Sequence, residues 1–322
     1  MPLSTFLPLL YEINDTYEEP APPPGGPPPF PTLPESVTLF ATKPPSKDLG
    51  FLNPKSPSVE ITIGSQDLTI LQSPSVLSSS RDGGTTGAGI HKKKVLWKVT
   101  PLFAAYLSHP ENPFFSHGVL SSRSTILELG CGVAGVLGLT LGGSGKVRGY
   151  FLSDQEYVLK LLRRNLEENT PPPVAPRKGG ARVKGGTMVR TLAMDWEKDR
   201  ITREHPVLKE GVPFDAVIAC DCIYNEALVE GFVEALEEAC RELSAASGGR
   251  HGGSRLSEEA GEEEIKPTLA IVSQELRSPE VFEAWLERFH RSFHAYRVPD
   301  SLLTPEINSS SGYCIHVGIL RD

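Results

Sequence analysis

ILELGCGVAG, residues 126–135, joins an apolar run to a carboxylate, Glu128, and then to three glycines, Gly130, Gly132 and Gly135. A buried strand that runs through a glycine turn into a helix leaves backbone free to press against a ligand. The spacing alone fits G-x-G-x-x-G, in which a helix N-terminus holds a pyrophosphate. Glu128 argues for a different charge, because a carboxylate repels a diphosphate and attracts an ammonium or sulfonium group. S-adenosylmethionine (SAM) has such a cationic end, carries no phosphate, and has an adenosine that still needs the glycine turn. A tight turn that binds nothing is the bland alternative for a single loop of this kind.

Around this stretch, the alternation of short apolar runs with amphipathic segments predicts strands near 126–129, 148–152, 188–193, 216–220, 269–273, 294–298 and 313–320. Helices are expected from Ala134, over 155–168, over 226–243 and over 279–289. Such an order implies an α/β fold, a parallel sheet covered by helices on both faces. Upstream, SVEITIGSQDLTILQ, residues 58–72, alternates around Gly64 and Ser65 and predicts a hairpin. A short amphipathic helix opened by Thr100 and Pro101 follows it.

About half of the 29 prolines fall before residue 60, as in PAPPPGGPPPFPTLP, residues 20–34. Proline supplies no ladder donor and cannot continue a helix, so residues 1–57 are expected to be a mostly disordered leader. Two further stretches, 170–186 and 246–267, are rich in glycine or charge and are expected to be flexible surface insertions within a domain spanning 58–322, whose hairpin region covers 58–90. The opening MPLSTFLPLLYEIND is too short, and lacks the basic flank, for a signal or membrane segment. The five cysteines, an odd number, point to reduced thiols in the cytosol or nucleus. A formal charge of −8 disfavours direct nucleic-acid binding and suits a basic protein partner.

Four more sites bear on the glycine loop. Asp154 ends the second strand, where a carboxylate accepts hydrogen bonds from both ribose hydroxyls of an adenosine; the same residue would also cap the helix that follows. Asp195 and Trp196 follow the third strand, where a ring packs on an adenine face and a polar neighbour reads its amine. CDCIYNE, residues 220–226, ends the fourth strand and brings Asp221 and Tyr224 towards the crevice of Gly130. Cys220 and Cys222 flank one aspartate and give no tetrahedral metal set, so they read as small apolar packing and no metal is expected. Trp97 either closes over the cofactor or joins the core.

Together, ILELGCGVAG with Asp154, then MDW at 194–196, then the D-x-x-Y of Asp221 and Tyr224 resemble the seven-beta-strand protein lysine methyltransferases of the methyltransferase-like 21 group. LWKVTP at 96–101, YVLKLLRRN at 157–165 and DCIYNEALVEGFV at 221–233 are similar to one fungal branch of it, the ribosomal lysine N-methyltransferase 5 proteins. The resemblance implies a Rossmann-like, seven-stranded, mostly parallel sheet of the class I SAM-dependent methyltransferase type. It also implies SAM contacts from Trp97, the loop Gly130, Cys131, Gly132 and Gly135, Asp154, Trp196 and Cys220, with Asp221 and Tyr224 lining a target-lysine channel. The implied acceptor is a large-subunit ribosomal protein of the L1 type, methylated by a cytoplasmic or nuclear monomer.

On this reading Asp221 and Tyr224 orient a lysine amine, with Asp221 accepting its hydrogen bond. A NAD-dependent oxidoreductase, a methyltransferase of small molecules or nucleic acids, and a noncatalytic interaction protein are the competing readings.

Overall fold

Ile126 to Leu129 lie at the centre of an eight-stranded sheet. The structure is a computed structural model that describes residues 2–14, 39–40, 50–73, 95–170, 187–202, 204–205, 208, 213–244 and 266–322. The strands of the sheet are β1 (Tyr11–Ile13), β4 (Thr125–Leu129), β5 (Gly149–Asp154), β6 (Met188–Ala193), β7 (Ala216–Cys220), β8 (Leu269–Glu275), β9 (Phe293–Arg297) and β10 (Tyr313–Leu320). Strands β2 (Ser58–Ile63) and β3 (Gln66–Leu71) form a separate antiparallel hairpin. The sheet order is β1-β9-β10-β8-β7-β4-β5-β6. β4, β5, β6, β7 and β8 are parallel, whereas β10 runs against both β8 and β9.

After β4 the chain winds outward through β5 and β6, then returns to β7 on the other side of β4. This reversal makes the carboxyl ends of β4, β5 and β7 a topological switch point, where open α/β sheets hold ligands. Every residue of β4 is buried, and its side chains alternate between two cores. Ile126 faces the core with Leu137, Leu159 and Phe103, whereas Leu127 and Leu129 face the core with Phe232, Trp285 and Leu286.

Helices α2 (Val99–Ser108), α4 (Val136–Gly143) and α5 (Glu156–Asn169) cover the first face, and α6 (Val229–Glu242) and α7 (Pro279–Ser292) cover the second. α7 shows why these segments are helical. Ser278 caps it by accepting a bond from the Val281 N–H at 3.4 Å, Pro279 opens it, and Phe282, Trp285, Leu286 and Phe289 recur on one buried face. The short helices α1 (Pro2–Phe6) and α3 (Pro113–Ser116) pack against each other through Phe6 and Phe114, with ring centroids 5.0 Å apart.

The leader differs from its expectation. Residues 2–14 form α1, a 3₁₀ turn and β1, which adds an eighth strand by pairing antiparallel with β9. Phe6 is fully buried, and the His290 ring contacts the Ile13 carbonyl at 2.8 Å. The proline-dense stretch, 20–34, lies outside the described residues. The first thirteen residues are apolar enough to cover a sheet edge, and Pro8 falls in the 3₁₀ turn, where it costs no ladder bond.

Residues 50–52 are ordered too. Leu52 N–H donates to the Leu96 carbonyl and Lys98 N–H to that of Gly50, both at 2.8 Å. Residues 171–186 and 245–265, most of the two expected insertions, lie outside the described residues, as do 74–90 of the hairpin region. Among the described residues, no helix is long and apolar enough to cross a membrane.

The hairpin docks on α5 through two asparagines one helical turn apart. Asn165 exchanges bonds with both the N–H (2.8 Å) and the C=O (3.0 Å) of Leu71, and Asn169 does the same with Thr69 (2.8 and 2.9 Å). Positions i and i+4 of a helix thus match positions two apart on a strand, and the open edge of β3 is satisfied by side-chain amides.

Candidate active site

The strand ends at the switch point enclose a cleft of about 530 Å³ including its open mouth, lined by Trp97, Glu128, Gly130, Cys131, Gly132, Asp154, Trp196, Cys220, Asp221 and Tyr224, among others. Ten of the twelve residues expected to form the site therefore meet in one place. The two others do not line it. Gly135 caps α4, and a Cβ there would meet Leu162 at 2.7 Å, so this glycine serves close packing of α4 on α5. Asp195 turns into its own loop, where it pairs with Lys198 at 2.8 Å and accepts the Glu197 N–H at 3.3 Å. Slight burial would raise the Asp195 pKa, but the Lys198 ammonium and these bonds outweigh it and hold the carboxyl below its ordinary value.

Gly130 adopts φ +67°, and a Cβ there would lie 2.8 Å from both Cys222 Sγ and the Trp196 ring. Its bare backbone therefore lets the indole close over the turn, while Phe232 packs beneath that indole at 5.2 Å. Asp154 is 2% exposed and accepts bonds from the N–H groups of Gly132 (2.9 Å) and Gln155 (2.8 Å). It thus ties the end of β5 to the glycine turn, and the cap of α5 is Gln155, without a side-chain bond.

Glu128 is 1% exposed, and its Oε2 has no hydrogen-bond partner. Burial pushes its carboxyl up to about 8; the neighbouring Tyr150 hydroxyl opposes that rise without meeting good hydrogen-bond geometry, and the Asp154 charge adds to it. An orphaned, buried carboxylate in a ligand cleft is expensive unless a cation completes it. The residues therefore fit a nucleoside with a cationic tail, with Asp154 at the ribose position and Trp196 beside the turn.

Cys220 and Cys222 are both buried. The Cys220 thiol faces Thr100 Oγ1 at 3.8 Å, and the Cys222 thiol donates to the Leu129 carbonyl at 3.3 Å. Burial pushes the Cys131 and Cys220 thiols well above their ordinary value, which keeps them protonated packing groups.

The D-x-x-Y residues line the same cleft, and Asp221 is tied to its surroundings. Asp221 sits at φ +58°, unusual for a residue with a Cβ, and is 4% exposed. Arg277 grips both of its carboxylate oxygens, one at 2.9 Å, and the Glu275 N–H adds a third contact at 3.3 Å. Burial pushes the Asp221 carboxyl up, and the guanidinium pulls against that rise. Three of the acceptor positions of Asp221 are thus taken inside the protein, by Arg277 and the Glu275 N–H.

Arg277 also bonds Glu275 Oε2 at 2.8 Å and lies 4.9 Å above the Trp97 ring, which stacks on Tyr224 at 5.9 Å. A Cβ at Gly50 would collide with this guanidinium, so the strap at 50–52 can approach it only through glycine. Sequence reasoning missed Arg277 and Glu275. Their signal was the strand end itself, QELRS at 274–278, beside that of β7. Thr100, Leu96 and Cys222 also line the cleft.

A family model described as lysine methyltransferase matches residues 84–246. The chain is 28% identical over 278 residues to a Schizosaccharomyces pombe protein named diaminohydroxyphosphoribosylamino-pyrimidine deaminase, covering 86% of this chain and 54% of that one. It is 28% identical over 254 residues to ribosomal lysine N-methyltransferase 5 of Zygosaccharomyces rouxii, covering 69% and 70%. An O-methyltransferase family protein from Burkholderia thailandensis aligns at 13% identity over 77% of this chain and 67% of that one, with a TM-score of 0.40. The chain thus spans only about half the length of the S. pombe relative, whose named activity stays with that protein. With the family model matched over half of its length, the chain belongs to the lysine methyltransferase family.

Proposed function

We propose that this protein is a SAM-dependent protein-lysine N-methyltransferase whose acceptor is a basic ribosomal protein, of the large-subunit L1 type. The observation that carries the reading is the buried Glu128 carboxyl, with its Oε2 unpartnered, beside Asp154 in a cleft at the switch point. That pair suits a cation joined to a ribose and opposes a pyrophosphate. The ribosomal acceptor rests on the name of the Z. rouxii relative and on the acidic balance of the chain.

SAM, when bound, supplies a methyl group on a sulfonium, so that the lysine nitrogen forms its N–C bond as the C–S electron pair withdraws to sulfur. The protein's share is alignment and desolvation. Glu128 holds the cationic tail, Asp154 the ribose, and Trp196 the adenine side of the turn. Gly130 and Gly132 bring backbone close to the nucleoside, and Trp97, stacked on Tyr224, forms the wall between cofactor and acceptor. The amine attacks only after losing its proton, since its lone pair is otherwise occupied.

The test is incubation of the full chain with methyl-labelled SAM and ribosomal proteins from cells that lack the enzyme, followed by hydrolysis. Label recovered as methylated lysine is the expected result. Label in RNA or small molecules, or tighter binding of NADH than of SAM, would overturn it.

A further inference from the structure

A second pocket of about 310 Å³ opens on the other side of Tyr224, lined by Ile223, Gln274, Glu275, Arg277, Val281 and Phe282 with Tyr224 and Ser278 at its ends. It lies at the carboxyl ends of β7 and β8, whereas the first cleft lies over β4, β5 and β7. Tyr224 lines both, so the two adjoin at its ring. Glu275 and Arg277 fall beyond the residues matched by the family model.

Two features mark this pocket as built for a ligand. Gln274 is 1% exposed, and its side-chain nitrogen has no hydrogen-bond partner. The three charges beside it are divided unequally: Arg277 takes both oxygens of Asp221 but only Oε2 of Glu275. One cation against two carboxylates leaves a net negative charge, and the carboxylate with an oxygen left over is the one that lines the pocket. Opposite it stand Ile223, Val281 and Phe282, an apolar wall of the kind that covers the methylenes of a long side chain.

Resting on the methyltransferase reading above, we propose that this pocket is the acceptor subsite: it takes a lysine side chain, with Glu275 binding the amino group, the Ile223–Val281–Phe282 wall the methylenes, and Gln274 donating to a main-chain carbonyl of the substrate. Asp221, the acid of the D-x-x-Y motif, then acts through Arg277 as a positioning residue, and Glu275 is the acid that meets the substrate. The strap at 50–52 and Phe40, whose ring meets Phe282 at 5.6 Å, lean on the walls of this subsite, so the full chain is the proper material for its test.

The experiment compares wild type with Glu275→Gln, Glu275→Asp and Val281→Trp, the last filling the pocket from its apolar wall. SAM affinity is measured by calorimetry, and transfer to ribosomal proteins from enzyme-deficient cells by label. The subsite predicts SAM affinity within twofold of wild type for all three, at least a tenfold loss of acceptor kcat/KM in Glu275→Gln and Val281→Trp, and partial recovery in Glu275→Asp. Wild-type transfer by Glu275→Gln and Val281→Trp would overturn it, as would a loss of SAM affinity that parallels the loss of transfer. A wild-type protein that binds no SAM would instead sink the methyltransferase reading, which keeps the two failures apart.

Discussion

The two halves of the site are built differently. Over β4 and β5, each functional group is fixed by its own strand end: Glu128 by β4, Gly130 and Gly132 by the turn after it, and Asp154 by β5 through a bond to Gly132. Over β7 and β8, no group stands alone, because Asp221 is held by Arg277, Arg277 by Glu275 and Trp97, and Trp97 leans on Tyr224. The first half leaves one buried acid waiting for a cation; the second neutralises Asp221 internally and shares the same guanidinium with Glu275. The groups over β4 and β5 are set by local geometry, whereas those over β7 and β8 form a connected network.

The largest effect should come from breaking that network. Arg277→Met leaves Asp221 buried without its partner and is expected to cost about 3–5 kcal/mol in urea unfolding, most of it recovered when Asp221→Asn is added. An unchanged unfolding midpoint in the single variant would mean that the halves do not differ as described. Asp154→Ala strikes the other half. It should lower SAM affinity by about 100-fold, or about 3 kcal/mol, by removing the ribose acceptor, and calorimetry that finds less than a threefold loss would detach Asp154 from the nucleoside.

A smaller effect concerns the hairpin that props α5 behind the glycine turn. Asn165→Ala, which strips three bonds from a fully buried side chain, is expected to lose about 1–3 kcal/mol, and the less buried Asn169→Ala less than about 1 kcal/mol. Equal losses would show that burial does not grade this contact.

The last effect is a slope, read per pH unit. Glu128 holds its proton up to about pH 8 in the folded chain but only to its ordinary 4.5 when unfolded. Between these values the folded state binds the extra proton, so stability is full below pH 4.5 and falls as pH rises towards 8, by at most about 1.4 kcal/mol per unit. Glu128→Gln should flatten that slope and leave the ligand-free protein more stable at pH 8. A denaturation series in which wild type and variant run parallel would refute the buried acid.

The same contrast explains what was legible in the sequence. The strands at 216–220 and 313–320 were readable to the residue because their burial follows from their own apolar runs, whereas 188–193, an edge strand with only Leu192 buried, was readable from its place in the alternation. The cofactor half was readable because Glu128, Gly130, Gly132 and Asp154 announce themselves by type and strand-end position. Asp195 misled, since nothing in MDWEKD tells that Lys198 and the Glu197 N–H will claim its carboxylate. Asp221 misled for a stronger version of that reason: its partner lies 56 residues on, and only the pairing of β7 with β8 brings the two together. The N-terminal strand was hidden by the proline-rich stretch after it, although Phe6, Leu10 and Ile13 already had the apolar character to cover a sheet edge.

The central claim is that a buried acid at the switch point awaits a cationic nucleoside. Calorimetric titration of SAM into the full chain between pH 6.5 and 8.5, in buffers of different ionisation enthalpy, tests it most directly. Affinity should rise with pH up to about 8, with up to one proton released on binding below that value, and both trends should vanish in Glu128→Gln. The same pH dependence and proton release in wild type and Glu128→Gln, or binding of NADH in preference to SAM, would contradict the account.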